Sequence, residues 1–128
     1  MLKWILAASM LVAMPVVSHA QDAAKGKKVF KKCKACHKIG PGAKHLIGPE
    51  LNGILGRAAG KTEGFKYSKA MAESGLTWDA ATLAEFLAKP KDKVPKTKMI
   101  FAGLKKQKDR DNLIAYLSTF AADGTENK

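Results

Sequence analysis

The stretch Cys33-Lys34-Ala35-Cys36-His37 carries the main clue to the fold of this sequence. Two cysteines separated by two residues and followed at once by a histidine form the signature of covalent haem attachment. Thiols at this spacing can reach the two vinyl groups of one porphyrin edge, and the imidazole then lies beneath the iron, where haem proteins commonly use histidine. The sequence therefore predicts one haem c, attached through Cys33 and Cys36, with His37 as an iron ligand.

Other kinds of site also use closely spaced cysteines. A structural zinc site needs about four ligands, and outside the motif the mature chain offers only His45 as a similar donor. A thioredoxin-like redox pair needs an α/β scaffold, and the chain shows no strand pattern of useful length. Haem is therefore favoured over both sites and over a structural domain without a cofactor.

Residues 1–20 have the pattern of a secretory signal peptide. A positive charge comes first, residues 5–17 are largely apolar, and small residues close the segment in Ser18-His19-Ala20. A membrane anchor is the alternative, but Pro15 interrupts the apolar run, which falls short of the roughly 20 residues that a spanning helix needs. We expect cleavage after the signal peptide, export to the periplasm, and a single soluble domain over residues 21–128.

Helical periodicity marks both ends of the mature chain. In residues 22–35, Gly26 shares one face with apolar residues, and lysines occupy the remainder. In residues 108–121, four side chains form an i, i+3, i+4, i+7 stripe: Leu113, Tyr116, Leu117 and Phe120. Glycine inside a helix costs about 1 kcal/mol relative to alanine, so Gly26 predicts a close helix crossing, with Tyr116 lying over Gly26 and Phe30.

The middle of the chain predicts less regular structure. A short helix is expected at residues 68–73 and a longer one at residues 77–89, the second with Thr77 as its N-cap and Pro90 as its stop. Residues 39–64 contain seven glycines and two prolines without a sustained period, which is typical of ordered loop. The expected fold class is all-α: one small domain in which a few helices and glycine-rich loops wrap around the haem.

The sixth iron ligand would decide between an electron carrier and a ligand-binding haem protein. The available donors in the mature chain are Met71, Met99, His45 and lysines. Met71 falls on a predicted helix, where methionine usually serves in packing, whereas Pro90 and Pro95 stiffen the segment before Met99. We favour Met99, whose soft neutral thioether raises the haem potential. Displacement of Met99 would give the alternative function, a haem peroxidase or a gas-ligand sensor.

The chain is strongly basic, with 23 Lys and Arg residues against 11 Asp and Glu residues. Lysines flank both predicted ligand segments: Lys31, Lys32, Lys34 and Lys38 near His37, and Lys96, Lys98, Lys105 and Lys106 near Met99. A solvated surface is the ordinary role of each lysine, but around one haem edge they would together form a docking ring for acidic redox proteins. Export makes nucleic acid a poor partner, and association with a membrane surface would be weak at most.

Several short strings occur in the order found in one known family. They are Cys33-Lys34-Ala35-Cys36-His37, Gly48-Pro49-Glu50-Leu51-Asn52-Gly53, Gly56-Arg57, the pair Phe65 and Tyr67, Thr77-Trp78, Thr97-Lys98-Met99-Ile100-Phe101-Ala102-Gly103, and Leu113-Ile114-Ala115-Tyr116-Leu117. With these strings the chain resembles the class I cytochromes c, most closely the bacterial cytochromes c2 that are relatives of the mitochondrial carrier.

The resemblance implies a monomeric electron carrier and not an enzyme. Its donor would be quinol-cytochrome c reductase, and its acceptor an oxidase, a photosynthetic reaction centre or a reductase. The resemblance also implies that Met99 is the sixth ligand and that the carbonyl of Pro49 accepts a hydrogen bond from His37. Three residues would serve the haem propionates through hydrogen bonds or charge: Tyr67, Trp78 and Arg57.

Overall fold

The computed structural model describes residues 21–127, and the predicted signal peptide at residues 1–20 lies outside them. Its helices are α1 Ala23–Val29, α2 Lys69–Ala72, α3 Ala80–Ala88, α4 Pro90–Lys93 and α5 Gln107–Ser118. Within residues 21–127 there is no β-strand, and the all-α prediction is confirmed. None of these helices has the length and apolar character needed to cross a membrane.

The two terminal helices cross at Gly26, as the sequence predicted. α1 and α5 form the most extensive contact between helices. A Cβ atom on Gly26 would overlap the backbone oxygen of Asn112 and lie 2.8 Å from Tyr116 Cβ. The rings of Phe30 and Tyr116 pack with their centroids 5.5 Å apart. Only glycine therefore permits this crossing, which closes the domain and fixes where α1 delivers the cysteine motif.

The first helix ends earlier than predicted. The α-helical part stops at Val29, and Phe30–Lys32 continues as a 3₁₀ turn, whereas the sequence suggested a helix to residue 35. Next, the carbonyl oxygen of Cys33 accepts hydrogen bonds from the backbone N–H groups of Cys36 at 3.1 Å and His37 at 2.9 Å. This tight turn takes the place of the last predicted turn of the helix.

The boundaries of α3 correct two details of the prediction. The N-cap is Asp79, whose carboxylate accepts a hydrogen bond from Thr82 N at 2.7 Å, and not Thr77. Thr77 instead forms an isolated antiparallel bridge with Ala58. Pro90 does end α3, but it also begins α4, because proline at the first helical position lacks an N–H that would need a partner.

The glycine-rich segment is an ordered loop tied to itself and to the end of α5. The side chain of Asn52, 7% exposed, accepts a hydrogen bond from Gly40 N at 2.8 Å and donates one to Gly40 O at 2.9 Å. Gly53 N donates to Phe120 O at 3.2 Å. A buried amide that satisfies both backbone groups of one residue compensates for the absence of regular structure. These bonds place Pro49 beside the cysteine motif.

Candidate haem-binding site

The cysteine motif lies between the end of α1 and the glycine-rich loop. Cys33 and Cys36 are both free and half-buried. Gly48 N donates to Cys36 O at 2.8 Å, so the loop is fastened directly to the motif. Burial, with a smaller contribution from Cys36, raises the pKa of the Cys33 thiol to about 11. Before haem is attached, Cys33 is therefore a protonated thiol near neutral pH.

His37 is oriented by one short hydrogen bond. Its Nδ1 atom lies 2.7 Å from the carbonyl oxygen of Pro49. Since a carbonyl can only accept, Nδ1 carries the proton and Nε2 keeps its lone pair. Burial lowers the pKa of His37, and the nearby Arg57 charge lowers it further against the opposing effect of the Pro49 bond. Within residues 21–127 no hydrogen bond reaches Nε2, so a neutral imidazole offers this atom to a metal.

Gly48 shows how closely the loop approaches the imidazole. A Cβ atom built on Gly48 would overlap His37 Cε1 and lie 2.7 Å from Nδ1 and 2.8 Å from Nε2. Gly48 is itself buried and does not have a positive φ, so the close approach to the ring, and not the backbone conformation, requires glycine. The loop is therefore shaped against one face of the His37 ring.

Met99 lies in a segment without helical support. Its side chain is half-buried and packs against the hydrophobic core, as do Cys33 and Tyr67. Its backbone N–H donates to Thr97 Oγ1 at 3.3 Å. The next residue, Ile100, is 95% exposed, whereas Met71 is 9% exposed and belongs to the core itself. Within the described part of the chain, no hydrogen bond joins Met99 to the residues around His37.

Arg57 is held by the same loop that approaches His37. Its Nη1 atom donates to Glu50 Oε1 and to Asn52 O, each at 3.1 Å, and its Nη2 donates to Glu50 O at 2.8 Å. The Arg57 and Glu50 side chains are only 19% and 18% exposed. Sequence reasoning missed Glu50, and the available signal was a carboxylate that directly follows Pro49.

Tyr67 and Trp78, the two aromatic residues predicted to serve the propionates, each pack against another aromatic ring. Tyr67 packs edge-on against Phe65, with centroids 4.8 Å apart, and Trp78 is 6% exposed and packs on Phe86. Backbone bonds from Gly56 N to Trp78 O and from Trp78 N to Arg57 O, 2.8 and 2.9 Å long, bring Trp78 beside Arg57. Neither the Tyr67 hydroxyl nor the Trp78 indole N–H has a hydrogen-bond partner in residues 21–127.

Thr62 provides a further polar atom that sequence reasoning missed. Its Oγ1 is buried and has no hydrogen-bond partner among the described residues. Thr62 lines a surface depression together with Arg57 and Glu50. Buried hydroxyl groups normally have a hydrogen-bond partner, and a polar group of a bound ligand is one explanation for the missing partner here.

These residues fit a covalently attached haem. The site offers two free thiols, an imidazole with an open Nε2, and a half-buried thioether. It also offers polar donors without protein partners near a fixed arginine. A porphyrin uses each of these groups, since it needs thiols at its vinyl groups, axial donors at its iron and polar partners at its propionates.

Comparison with known proteins identifies the family. The sequence model of the family described as "Cytochrome c" matches residues 23–121. The chain belongs to the cytochrome c family. It is 59% identical over 107 residues to cytochrome c2 of Rhodoblastus acidophilus, covering 84% of this chain and 100% of that protein. It is 48% identical over 126 residues to cytochrome c2 of Blastochloris viridis, covering 98% of this chain and 99% of that protein.

A solved structure agrees with this assignment. The fold matches cytochrome cH from Methylobacterium extorquens with a TM-score of 0.72 and 48% sequence identity, covering 77% of this chain and 98% of that one. As a class I cytochrome c, the protein is a one-electron carrier and not an enzyme. Its cofactor is haem c, attached through Cys33 and Cys36, and its partners are redox proteins. The peroxidase and gas-sensor alternative is not favoured.

Proposed function

We propose that the protein carries single electrons between redox proteins of the periplasm, with His37 and Met99 as the axial ligands of its haem iron. The bound haem supplies the redox chemistry, because its iron alternates between the ferric and ferrous states. The observation that carries the proposal is the 2.7 Å contact between His37 Nδ1 and Pro49 O. That contact leaves Nε2 as the free donor of a ring whose orientation is already fixed.

His37 acts as the strong, pre-positioned ligand. Its bond to Pro49 selects the tautomer, limits rotation of the ring and raises the basicity of Nε2. Contact with Gly48 closes one face of the imidazole. Because the protein fixes this side in advance, little rearrangement is needed when the iron changes its charge.

Met99 acts as the neutral second ligand. Its half-buried side chain packs on the same core as Cys33, and a thioether stabilises the ferrous form relative to a second imidazole. Met71 has less support as a ligand, because it lies on α2 with its side chain buried in the hydrophobic core. Two protein ligands would close the iron to small molecules and leave electron transfer as its function.

Three residues serve the haem propionates in this proposal. The Tyr67 hydroxyl and the Trp78 indole N–H are donors without protein partners, and Trp78 is tied by its backbone to Arg57. The Arg57 guanidinium has five N–H donors, of which the recorded bonds use three. It can therefore donate to a propionate while it remains fixed to the loop.

The optical spectrum of the oxidised protein tests the axial pair. We expect a methionine-to-iron charge-transfer band that is lost in Met99→Ala, because alanine removes the thioether. Met71→Ala is the matched control: it should keep the band, although the cavity it leaves in the core lowers stability by about 2–5 kcal/mol. A band that survives in Met99→Ala, or a high-spin spectrum of the wild-type protein, would contradict the ligation.

The lysines provide the docking surface in this proposal. All eight lysines of the two clusters defined from the sequence are exposed. Electrostatic steering with a small, wet interface permits fast binding and fast release, as a carrier needs. The expected partners are acidic surfaces: quinol-cytochrome c reductase as donor, and an oxidase, a photosynthetic reaction centre or a reductase as acceptor. We expect a monomer that meets each partner in turn.

Charge reversal of one lysine tests this docking surface. Lys98→Glu should slow electron transfer to an acidic partner at low ionic strength, and the difference from wild type should shrink as salt is added. Lys69→Glu is the control, because it changes the charge equally but lies in neither cluster, on α2. Equal effects of the two changes, or rates that do not depend on salt, would refute the docking ring.

Export and removal of residues 1–20 complete the proposal. The alignment with the Rhodoblastus acidophilus cytochrome c2 spans 107 residues and the whole of that protein, close to the length that remains after cleavage at Ala20. The intact mass of the exported protein tests this point. It should equal a chain that begins at Gln21 plus one haem, and a mass that includes the first 20 residues would show a retained anchor.

A further inference from the structure

The ion pair between Glu50 and Arg57 is the one partly buried pair beside the haem-binding site in the described residues. Its Oε1 to Nη1 distance is 3.1 Å, and each side chain is less than one-fifth exposed. Three other pairs occur in the part of the chain that the structure describes, each with at least one partner more than three-fifths exposed. Water screens charges of low exposure less effectively, so the charge of Glu50 acts on its surroundings more strongly than the charge of a surface carboxylate.

Glu50 also fixes where the Arg57 charge lies. The carboxylate and the backbone carbonyl of Glu50 both accept hydrogen bonds from the guanidinium, at 3.1 and 2.8 Å. The other carboxylate oxygen accepts a bond from Asn52 N at 2.7 Å, which orients the carboxylate itself. Arg57 is thus held by three hydrogen bonds, and two of its five N–H groups have no recorded partner among the described residues.

The position of Arg57 links this pair to the iron site. Arg57 Nη2 donates to the carbonyl oxygen of Glu50 at 2.8 Å, and the carbonyl oxygen of the preceding residue, Pro49, lies 2.7 Å from His37 Nδ1. Backbone hydrogen bonds also join Arg57 to Trp78, a proposed partner of the propionates. A charge in this place acts on the energy of the haem, because reduction adds one electron to the iron.

We propose that Glu50 tunes the reduction potential by offsetting and positioning the charge that Arg57 presents to the haem propionates. A positive charge near the haem favours the ferrous form, and a carboxylate that cancels it favours the ferric form. Glu50 is therefore a positioning residue that lowers the potential of this protein. The inference rests on the proposed role of Arg57 toward the propionates.

A redox titration of the holoprotein at one fixed pH, followed by the haem absorbance, tests this inference. Glu50→Gln removes the charge with little change in shape, and we expect its midpoint potential to rise. Glu73→Gln is the matched control, since it removes one carboxylate charge from an exposed pair, in which Glu73 lies 4.0 Å from Lys69. The rise for Glu50→Gln should be several times the change for Glu73→Gln.

A conservative variant keeps the test decisive if Glu50→Gln does not accumulate as holoprotein. Glu50→Asp keeps the charge but holds it farther from Arg57, so its potential should lie between those of Glu73→Gln and Glu50→Gln. A purely structural role for Glu50 would lower the thermal unfolding temperature and leave the potential unchanged. That outcome overturns the inference, as does a fall in potential on removal of the charge.

Arg57→Gln separates this inference from the proposal on which it rests. Removal of the guanidinium charge should lower the midpoint potential. If Arg57→Gln lowers the potential but Glu50→Gln matches the Glu73→Gln control, the inference about Glu50 fails alone. If neither Arg57→Gln nor Glu50→Gln changes the potential, the propionate role of Arg57 fails as well. The methionine-to-iron band, measured on the same samples, shows that the axial ligands remain in place.

Discussion

The two sides of the haem site are built in different ways. On the His37 side, residues 33–57, backbone and side-chain hydrogen bonds fasten the cysteine motif to the loop, and glycine brings the loop against the imidazole. On the Met99 side, residues 94–103, the structure records four hydrogen bonds among the described residues: Val94 N to Pro90 O, Thr97 N to Val94 O, Met99 N to Thr97 Oγ1 and Lys98 Nζ to Lys66 O. Lys96 there adopts a positive φ of 68°.

The two proposed iron ligands are therefore held in place by different kinds of interaction. The His37 side is fixed by the polypeptide and can present its donor atom without help. The Met99 side has few bonds of its own, so much of its order must come from packing on the core and from the iron. Segments with few protected hydrogen bonds open at low free energy, and we therefore expect the Met99 side to open first.

The largest expected effect comes from a substitution that disrupts the His37 side. Gly48→Ala places a methyl group where the His37 ring lies, so either the ring or the loop must move. Overpacking of this kind costs about 1–3 kcal/mol, and displacement of the ring would add the loss of its bond to Pro49. We expect a thermal unfolding temperature lower by about 10–20 °C, together with a reduced yield of haem-containing protein.

Gly75→Ala is the control for that substitution. Gly75 has a φ of 67°, and a Cβ atom there meets nothing within 4 Å. Alanine at this position bears only the cost of a left-handed conformation, about 1–2 kcal/mol, and the haem yield should not change. If Gly48→Ala gave a normal amount of haem-containing protein with a normal spectrum, the loop would be able to move aside without disturbing His37.

A smaller effect compares how readily the two sides open. On the His37 side, Gly48 N–H is bonded to Cys36 O at 2.8 Å and Leu51 N–H to Lys38 O at 3.0 Å. No backbone bond from Ile100 N–H occurs in the described residues. In native-state hydrogen exchange of the holoprotein, Gly48 and Leu51 should exchange at least about tenfold more slowly than Ile100. Equal protection would mean that both sides open together.

The sequence predicted the parts of this architecture that depend on local pattern. Gly26 stood out because glycine is unfavourable within a helix, and the crossing with α5 followed from the apolar stripe. The cysteine motif was recognised from its spacing, and Met99 stays a prediction, chosen because few other residues offer a suitable donor atom. The N-cap of α3 was wrong, because Thr77 and Asp79 are both good caps, and a bridge to the distant Ala58 decides between them.

Features of the irregular segments could not be predicted. Glu50 and Arg57 are seven residues apart in a loop without period, so no helical or strand spacing indicates that they meet. The end of α1 was misplaced because the bonds to Cys33 O that form the turn compete with continuation of the helix. In each case the local sequence permits more than one arrangement at similar free energy, and contacts in the folded protein determine which one forms.

The smallest expected effect comes from a substitution that relieves backbone strain on the Met99 side. Lys96 has a φ of 68°, and a left-handed conformation costs a residue with a Cβ atom about 1–2 kcal/mol. Glycine avoids this cost, but it lowers the stability by about 0.5–1 kcal/mol because it increases the conformational freedom of the unfolded chain. Lys96→Gly should therefore stabilise the protein by about 1 kcal/mol or less. Thermal unfolding of the holoprotein measures this change.

Lys96→Ala separates the backbone effect from the loss of a charge. Both substitutions remove one exposed lysine from a basic surface, but alanine keeps the Cβ atom and therefore the strain. The difference between the two variants thus reports the cost of the left-handed conformation less the glycine entropy term of about 0.5–1 kcal/mol. If Lys96→Gly is no more stable than Lys96→Ala, the strain at Lys96 is no larger than this entropy term and does not weaken the Met99 side appreciably. The expected early opening of the Met99 side must then arise from its small number of hydrogen bonds. Hydrogen-exchange rates measure that opening directly.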